Sequence, residues 1–289
     1  MTWRKHLVIF VLIVASSCVH FGNDGDLLTD IAEIEKRLDA RIGVIVSDQE
    51  TGRTWERNSS DRFPMASTFK VLACGALLAK VDQKKERLER RTVIHESDLV
   101  TYSPVMKDRT GPPGVSLGEA CYVTLKTSDN TAANIVLEAI GGPESLTTFL
   151  RSIGDKHTRL DRYEPDLNEA AIGDERDTTT PSAMAETLKA LIVETEFLSS
   201  ASQTLLQDWM MANQVGDALL RASIPATWEI ADRTGAGGNG TRAIAAIIWP
   251  PERKPIIVAI YITETKASFA ERNEAIAEIG KSIVEAVTQ

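Results

Sequence analysis

Residues Pro255–Thr263 read PIIVAIYIT, and this run decides the architecture. Ile256, Val258, Ile260 and Ile262 alternate with Ile257, Ala259 and Tyr261, so a strand here is apolar on both faces. Both faces must then be covered. The chain supplies one cover at once: Phe269, Arg272, Ile276, Ile279, Ile283 and Val287 recur at helical spacing, with only Arg272 polar. Upstream, Glu229–Thr234 and Arg242–Trp249 read as two more strands. At the other end of the chain, Leu27, Ile31, Ile34 and Leu38 share a helix face. Arg41–Asp48 (RIGVIVSD), a turn at Gln49-Glu50-Thr51-Gly52 and Arg53–Asn58 then read as a hairpin.

Between these ends, from about Asp61 to Met211, strand signals nearly vanish. The apolar runs Ser116–Leu125, Ala132–Ala139, Ser182–Val193 and Ala201–Met211 have helical length. The expectation is an α/β fold: a sheet built from both chain ends (24–60 and 212–289), flanked by N- and C-terminal helices, with an all-helical domain inserted at 61–211. One segment stands apart. Residues 159–180 are charged, aperiodic and punctuated by Pro165 and Gly173. A loop that long inside a compact domain is usually functional or disordered.

Composition limits the function classes. The chain has 289 residues, 43% apolar and 25% charged, with a net charge of -9. That balance and the lack of a basic cluster argue against nucleic acid as partner. Arg4 and Lys5, the apolar stretch Leu7–Ala15 and the small Ser16 and Ser17 form a secretory signal peptide at residues 1–17. The apolar stretch is too short to span a bilayer. Its removal deletes two positive charges, taking -9 to -11. Ala15-Ser16-Ser17-Cys18 resembles a bacterial lipobox, with Ala where Leu is usual, so Cys18 is either lipidated or, after ordinary cleavage nearby, lost or left free. Cys74 and Cys121 are natural disulfide partners in an oxidising compartment, where closing the loop would stabilise by roughly 4 kcal/mol. A zinc site at these two is the weaker reading, because no His or Cys stands at ligand spacing. His20, His95 and His157 show no paired-ligand spacing either, so neither metal nor cofactor is expected.

The chemistry centres on Met65–Leu78, MASTFKVLACGALL, a helix apolar nearly all round. Lys70 is its anomaly, since a buried lysine is costly unless paired or used. Ser67 lies three residues earlier on the same face, at the expected helix start, where backbone N–H groups favour developing negative charge. A hydroxyl, an amine to manage its proton and donors for an oxyanion suit nucleophilic catalysis. Ser-x-x-Lys alone is a weak signal; Ser67 as a simple cap with Lys70 reaching solvent explains it as well.

Two further motifs change that. Ser128-Asp129-Asn130 follows an apolar helix, and Arg233-Thr234-Gly235 ends a strand. With Ser67-Thr68-Phe69-Lys70 they resemble, in order and spacing, the three active-site motifs of class A β-lactamases. Tyr102-Ser103-Pro104-Val105, Asp129–Asn134, Gly141-Gly142-Pro143 and Glu164-Pro165-Asp166-Leu167-Asn168 extend the resemblance over the mature chain. Most of that family has Lys at the position of Arg233; Arg-Thr-Gly resembles its carbenicillin-hydrolysing subgroup. Arginine grips a carboxylate through two hydrogen bonds but cannot relay a proton at neutral pH.

The resemblance implies the serine β-lactamase/penicillin-binding fold and a small-molecule β-lactam substrate acted on by a monomer. It implies Ser67 as nucleophile, Ser128 as proton relay to the lactam nitrogen, and Lys70 or Glu164 as the acylating base. The N–H groups of Ser67 and Ala236 would form the oxyanion hole. Arg233, Thr234 and Arg242 would bind the substrate carboxylate, Asn130 its acylamide side chain, and Tyr102 would wall the entrance. Glu164 and Asn168 would activate the hydrolytic water, with Arg162 and Asp177 closing the neck of the loop. A penicillin-binding D,D-peptidase shares the Ser-x-x-Lys chemistry but lacks a base placed for water. A β-lactam sensor domain belongs to a membrane-spanning receptor, and a solute-binding lipoprotein explains Cys18 but not three ordered motifs. A Ser-His-Asp triad is disfavoured because no Gly-x-Ser-x-Gly elbow occurs.

Overall fold

The computed structural model describes residues 24–288; the signal peptide and Cys18 lie outside the described residues. Helix α1 (Asp24–Arg37) leads into strands β1 (Arg41–Asp48) and β2 (Thr54–Arg57). At the far end come β7 (Glu229–Ala236), β8 (Arg242–Trp249), β9 (Ile256–Thr263) and helix α8 (Phe269–Thr288). These strands form one antiparallel sheet in the order β2-β1-β9-β8-β7, so β9 is central and pairs along its length with β1 and β8.

The alternation in β9 divides the core. Ile256, Val258, Ile260 and Ile262 pack with Leu27 and Ile31 of α1 and with Ile276, Ile279 and Ile283 of α8. Ile257, Ala259 and Tyr261 face the opposite way, into a second cluster with the helices of the middle segment. Each face is therefore dry, as a doubly apolar strand requires. The expected face of α8 departs from expectation at its start: Ile276, Ile279, Ile283 and Val287 are buried, whereas Phe269 is 51% exposed.

The middle segment carries α2 (Phe69–Asp82), α3 (Leu117–Thr127), α4 (Asn130–Ile140), α5 (Pro143–Ser152), α6 (Pro181–Leu188) and α7 (Ser200–Met211). It is not wholly helical. Two-residue ladders pair β3 (Phe63–Pro64) with β6 (Thr178–Thr179), and β4 (Arg91–Thr92) with β5 (Val115–Ser116). The first ladder fastens the end of the long loop to the chain entering α2. Helix α6 runs on as a π-turn, Lys189–Val193, inside the apolar run expected to be one helix. Helix α5 carries little sequence signal: Pro143 starts it, but only Pro143, Leu146 and Leu150 are buried. Among the described residues, no helix is long and apolar enough to cross a membrane.

Cys74 of α2 and Cys121 of α3 form a disulfide with Cα atoms 5.7 Å apart. It ties the helix that follows Ser67 to the helix that ends at Ser128. A non-reducing peptide map of exported protein should show this pair joined. Cys74→Ala/Cys121→Ala should lower unfolding stability by about 2–4 kcal/mol; an unchanged denaturant midpoint would show that packing alone braces the two helices.

Candidate active site

The residues Ala66–Thr68 form a 3₁₀ turn that continues directly into α2, so Ser67 sits just before the helix expected to begin at Met65. Its neighbour Ala66 has φ of 43°, and Tyr102 and Ser128 have 65° and 64°. Left-handed backbone costs a residue with a Cβ about 1 kcal/mol or more. Three such residues around one cleft mark a place where geometry is held against local preference.

Lys70 is wholly buried, as is the side chain of Glu164, and the two form an ion pair of 3.0 Å. The Lys70 ammonium also donates to Ser128 O at 2.8 Å and to Asn130 Oδ1 at 2.6 Å. Its three protons are directed at these acceptors, with Ser128 Oγ at 3.3 Å sharing one of them. Burial lowers the Lys70 pKa to about 8, opposed by Glu164 and assisted by the nearby Arg233 charge.

Ser128 caps the C-terminus of α3. Its hydroxyl accepts from Arg233 Nη2 and, at 3.3 Å, from Lys70 Nζ. With two cationic donors on its oxygen, its own proton points to Ser67 Oγ, 3.1 Å away. Ser67 Oγ in turn stands 3.5 Å from Glu164 Oε1. The result is a directed chain of hydroxyls ending at a carboxylate.

Glu164 belongs to the long charged loop, and the loop is built to hold it. Arg162 Nε bonds Asp177 at 2.6 Å, while the other Asp177 oxygen accepts the N–H groups of Asp161 and Arg162 at 2.7 and 3.0 Å. The expected ion pair at the loop neck is thus present. Asn134 of α4 clamps the Glu164 backbone from both sides: its Nδ2 donates to Glu164 O and its Oδ1 accepts from Glu164 N, each at 3.0 Å. Asn168 Nδ2 donates to Glu164 Oε2. Asn168 Oδ1 is a buried acceptor that no protein donor reaches among the described residues. Buried acceptors of this kind are normally met by water or ligand.

On the other wall, β7 ends against the nucleophile. A Cβ at Gly235 would stand 2.8 Å from Met65 O and 3.2 Å from Ser67 N, so only glycine allows this approach. Gly238 N bonds Asn168 O at 2.8 Å, docking the turn after β7 onto the loop. A cleft of about 400 Å³ results, lined by Ser67, Tyr102, Ser128, Asn130, Asn168 and Arg242 together with Thr234, Gly235 and Ala236. Thr101, Pro165, Val215 and Phe269 complete the lining, and no sequence motif gives any of these four a site role.

Arg242 donates to Gly235 O at 3.0 Å and to Asn273 Oδ1 at 2.7 Å. Arg233 lies elsewhere: its side chain is fully buried behind Ser128 instead of lining the cleft, with Nε and Nη1 unmet by protein acceptors among the described residues. Burial lowers its pKa to about 10, partly offset by Asp232, so it stays charged at neutral pH.

A serine hydroxyl beside a buried Lys–Glu pair, facing a cleft closed by the end of β7, defines a serine acyl-transfer hydrolase. The comparisons make this specific. The model of the beta-lactamase enzyme family matches residues 26–287. The β-lactamase CARB-3 of Pseudomonas aeruginosa is 50% identical over 287 residues, covering 98% of this chain and 98% of its own. The solved structure of an ancestral (GNCA) class A β-lactamase is 53% identical, with TM-score 0.88 over 90% of this chain and 99% of that one. The chromosome-encoded β-lactamase of Vibrio parahaemolyticus is 47% identical with TM-score 0.88, over 91% and 99%. The chain belongs to the β-lactamase enzyme family, class A, and is a hydrolase.

The Lys70 titration is directly measurable. Isotope-edited NMR of lysine side chains should find one ammonium titrating near pH 8. Glu164→Gln removes the carboxylate that raises this pKa, so the midpoint should move to lower pH. A midpoint near 10.5, or a shift upward in the variant, would contradict the balance of burial and charge described above.

Proposed function

We propose that this protein hydrolyses the β-lactam ring of penicillins, carboxypenicillins included, through an acyl-enzyme on Ser67, and so confers antibiotic resistance. The observation that carries the proposal is the chain Ser128–Ser67–Glu164 beside Lys70. Ser67 Oγ bonds to the lactam carbonyl carbon while its proton leaves toward the Lys70–Glu164 pair. The developing oxyanion is held by the N–H groups of Ser67 and Ala236, which the close approach at Gly235 supports. As the C–N bond breaks, Ser128 gives its proton to the lactam nitrogen and is resupplied by Lys70. Water then attacks the ester carbon, losing one proton to Glu164 while its other hydrogen bonds to Asn168 Oδ1; the bond from that carbon to Ser67 Oγ breaks, and the proton returns from Glu164 to Ser67 Oγ.

Substrate binding follows the cleft wall. Thr234 and Arg242 bind the ring carboxylate directly, and Arg233 adds its charge from behind. Asn130 gives one Nδ2 hydrogen to Thr101 O at 2.8 Å, and its second serves the acylamide carbonyl. Tyr102 walls the entrance. The paired Glu164 and Asn168 favour a lactamase over a D,D-peptidase, which has no such water site. The 61–211 segment acts as one domain against a sheet-bearing domain of 24–60 and 212–289, with the cleft between them. The cleft is complete within one chain, which supports a monomer. The basic, then apolar start of the sequence supports export to the periplasm, with Cys18 as a site of lipid anchoring.

Two outcomes test these roles. Glu164→Ala should still be acylated by benzylpenicillin but accumulate the adduct, visible by mass spectrometry, whereas Ser67→Ala should give none. Wild-type turnover in Glu164→Ala would remove Glu164 as the deacylating base. Separately, Arg233→Lys keeps the charge but loses the Nη2 hydrogen bond to Ser128 Oγ, at a cost of about 1–2 kcal/mol in kcat/KM. Because Arg233 does not face the cleft, benzylpenicillin and carbenicillin should lose equally. A larger loss for carbenicillin would place Arg233 against its second carboxylate.

A further inference from the structure

Phe269 opens α8, and its position is built rather than incidental. Ser268 and Glu271 cap the helix reciprocally: Ser268 N donates to Glu271 Oε2 at 2.7 Å and Glu271 N to Ser268 Oγ at 3.2 Å. The ring is gripped by two cations, with the Arg242 guanidinium 4.7 Å from its centroid and that of Arg272 5.6 Å away. Arg272 is itself tied to Thr241 O at 3.2 Å, beside Arg242. The ring is nonetheless 51% exposed and lines the same cleft as Ser67, Thr234 and Arg242. Cation–π contacts on this scale hold a ring in place but do not require it to face a cleft. A leucine would satisfy the helix and an isolated exposed ring would need no explanation. A braced ring beside the cation of a binding cleft does.

We propose that Phe269 is a specificity-determining residue for the ring of the substrate that bears the carboxylate, packing against the paired methyl groups of the penicillin thiazolidine. The inference rests on Arg242 holding that carboxylate. With the carboxylate at Arg242, the ring carbon adjacent to the carboxylate-bearing carbon comes within reach of the exposed part of the Phe269 ring. In penicillins that carbon carries two methyl groups; in cephalosporins the neighbouring position is planar and substituted differently. Covering one methyl is worth about a fourfold change in affinity when complete, so partial cover of two gives about fivefold. Phe269 thus selects penicillins by ring shape, whereas Tyr102 and Asn130 act on the other end of the molecule.

The test compares benzylpenicillin with its analogue lacking both thiazolidine methyls, which keeps the same side chain and carboxylate. Phe269→Ala should raise KM for benzylpenicillin about fivefold with kcat changed less than twofold. The desmethyl analogue should change less than twofold in either constant, and Phe269→Leu should recover most of the loss. A misfolded fraction would lower apparent kcat without raising KM, so the split separates the two causes. Equal losses on both substrates would mean that the ring only braces Arg242, and no loss on either would mean that it touches no substrate; each result overturns the proposal. Arg242→Ala serves as the separate check: it should weaken both substrates alike, and if it weakens neither, the carboxylate assignment is what fails.

Discussion

A protonated lysine sealed from water needs three acceptors, and Lys70 draws them from segments that are distant in sequence. Ser128 O comes from the end of α3, Asn130 Oδ1 from the start of α4, and Glu164 Oε1 from the long loop. Taking away one partner of such a buried pair strands a charge, at a cost of about 3–5 kcal/mol. The need to neutralise one ammonium therefore brings α2, the α3–α4 junction and the loop to a single point. The supports around it follow from the same need. Asn134 fixes the Glu164 backbone, and Asp177 with Arg162 fixes the loop that carries it. Asp129 accepts from the N–H groups of Val105 and Met106, each at 2.9 Å, and so sets the chain that follows Tyr102.

Charge is distributed against the overall composition. The chain is acidic, at -9, yet Lys70, Arg233 and Arg242 surround the cleft floor, with Arg272 behind. A local field of this sign draws an anionic substrate into a low-dielectric cleft. The same cations act on one another. Arg233 pushes the Lys70 proton off, and Glu164 holds it on. Arginine at position 233 gives that push without itself titrating near neutral pH, which leaves Lys70 as the one cation of the cluster poised to change charge.

How much of this could be read from sequence depends on whether a side chain contradicts its surroundings. Lys70 in an apolar helix, a doubly apolar β9 and a long charged loop were all visible because each breaks a local pattern. Ser128, Glu164 and Asn168 came instead from the resemblance to a known family; nothing in their own neighbourhoods singles them out. Phe269 was sorted with the core because it continues the period of Ile276, Ile279 and Ile283. Periodicity gives a direction around the helix axis but not where the sheet beneath ends, and the first turn of α8 overhangs the cleft. Asn134 was seen only within the Asp129–Asn134 stretch, since a clamp on a backbone thirty residues away leaves no spacing signal. Arg233 was placed in the cleft by its motif, whereas its strand position directs it behind Ser128.

Glu164 shows what the long loop adds to chemistry that Ser67 and Lys70 already support. Its two oxygens face different tasks. Oε1 touches the Lys70 ammonium at 3.0 Å and lies 3.5 Å from Ser67, while Oε2 accepts from Asn168. One oxygen is thus wired to the nucleophile and the other to the side chain whose Oδ1 remains unspent. A carboxylate on a flexible loop could not keep both relations at once, because rotation about its side chain exchanges the oxygens. The two-sided Asn134 clamp and the buried Asp177 anchor fix the backbone that carries it, and the bonds to Lys70 and Asn168 fix the carboxylate itself. In the proposed reading, ester formation needs Lys70 and Glu164 together, and ester hydrolysis needs Glu164 and Asn168 together. In that reading the loop is what separates an enzyme trapped as its acyl form from one that turns over.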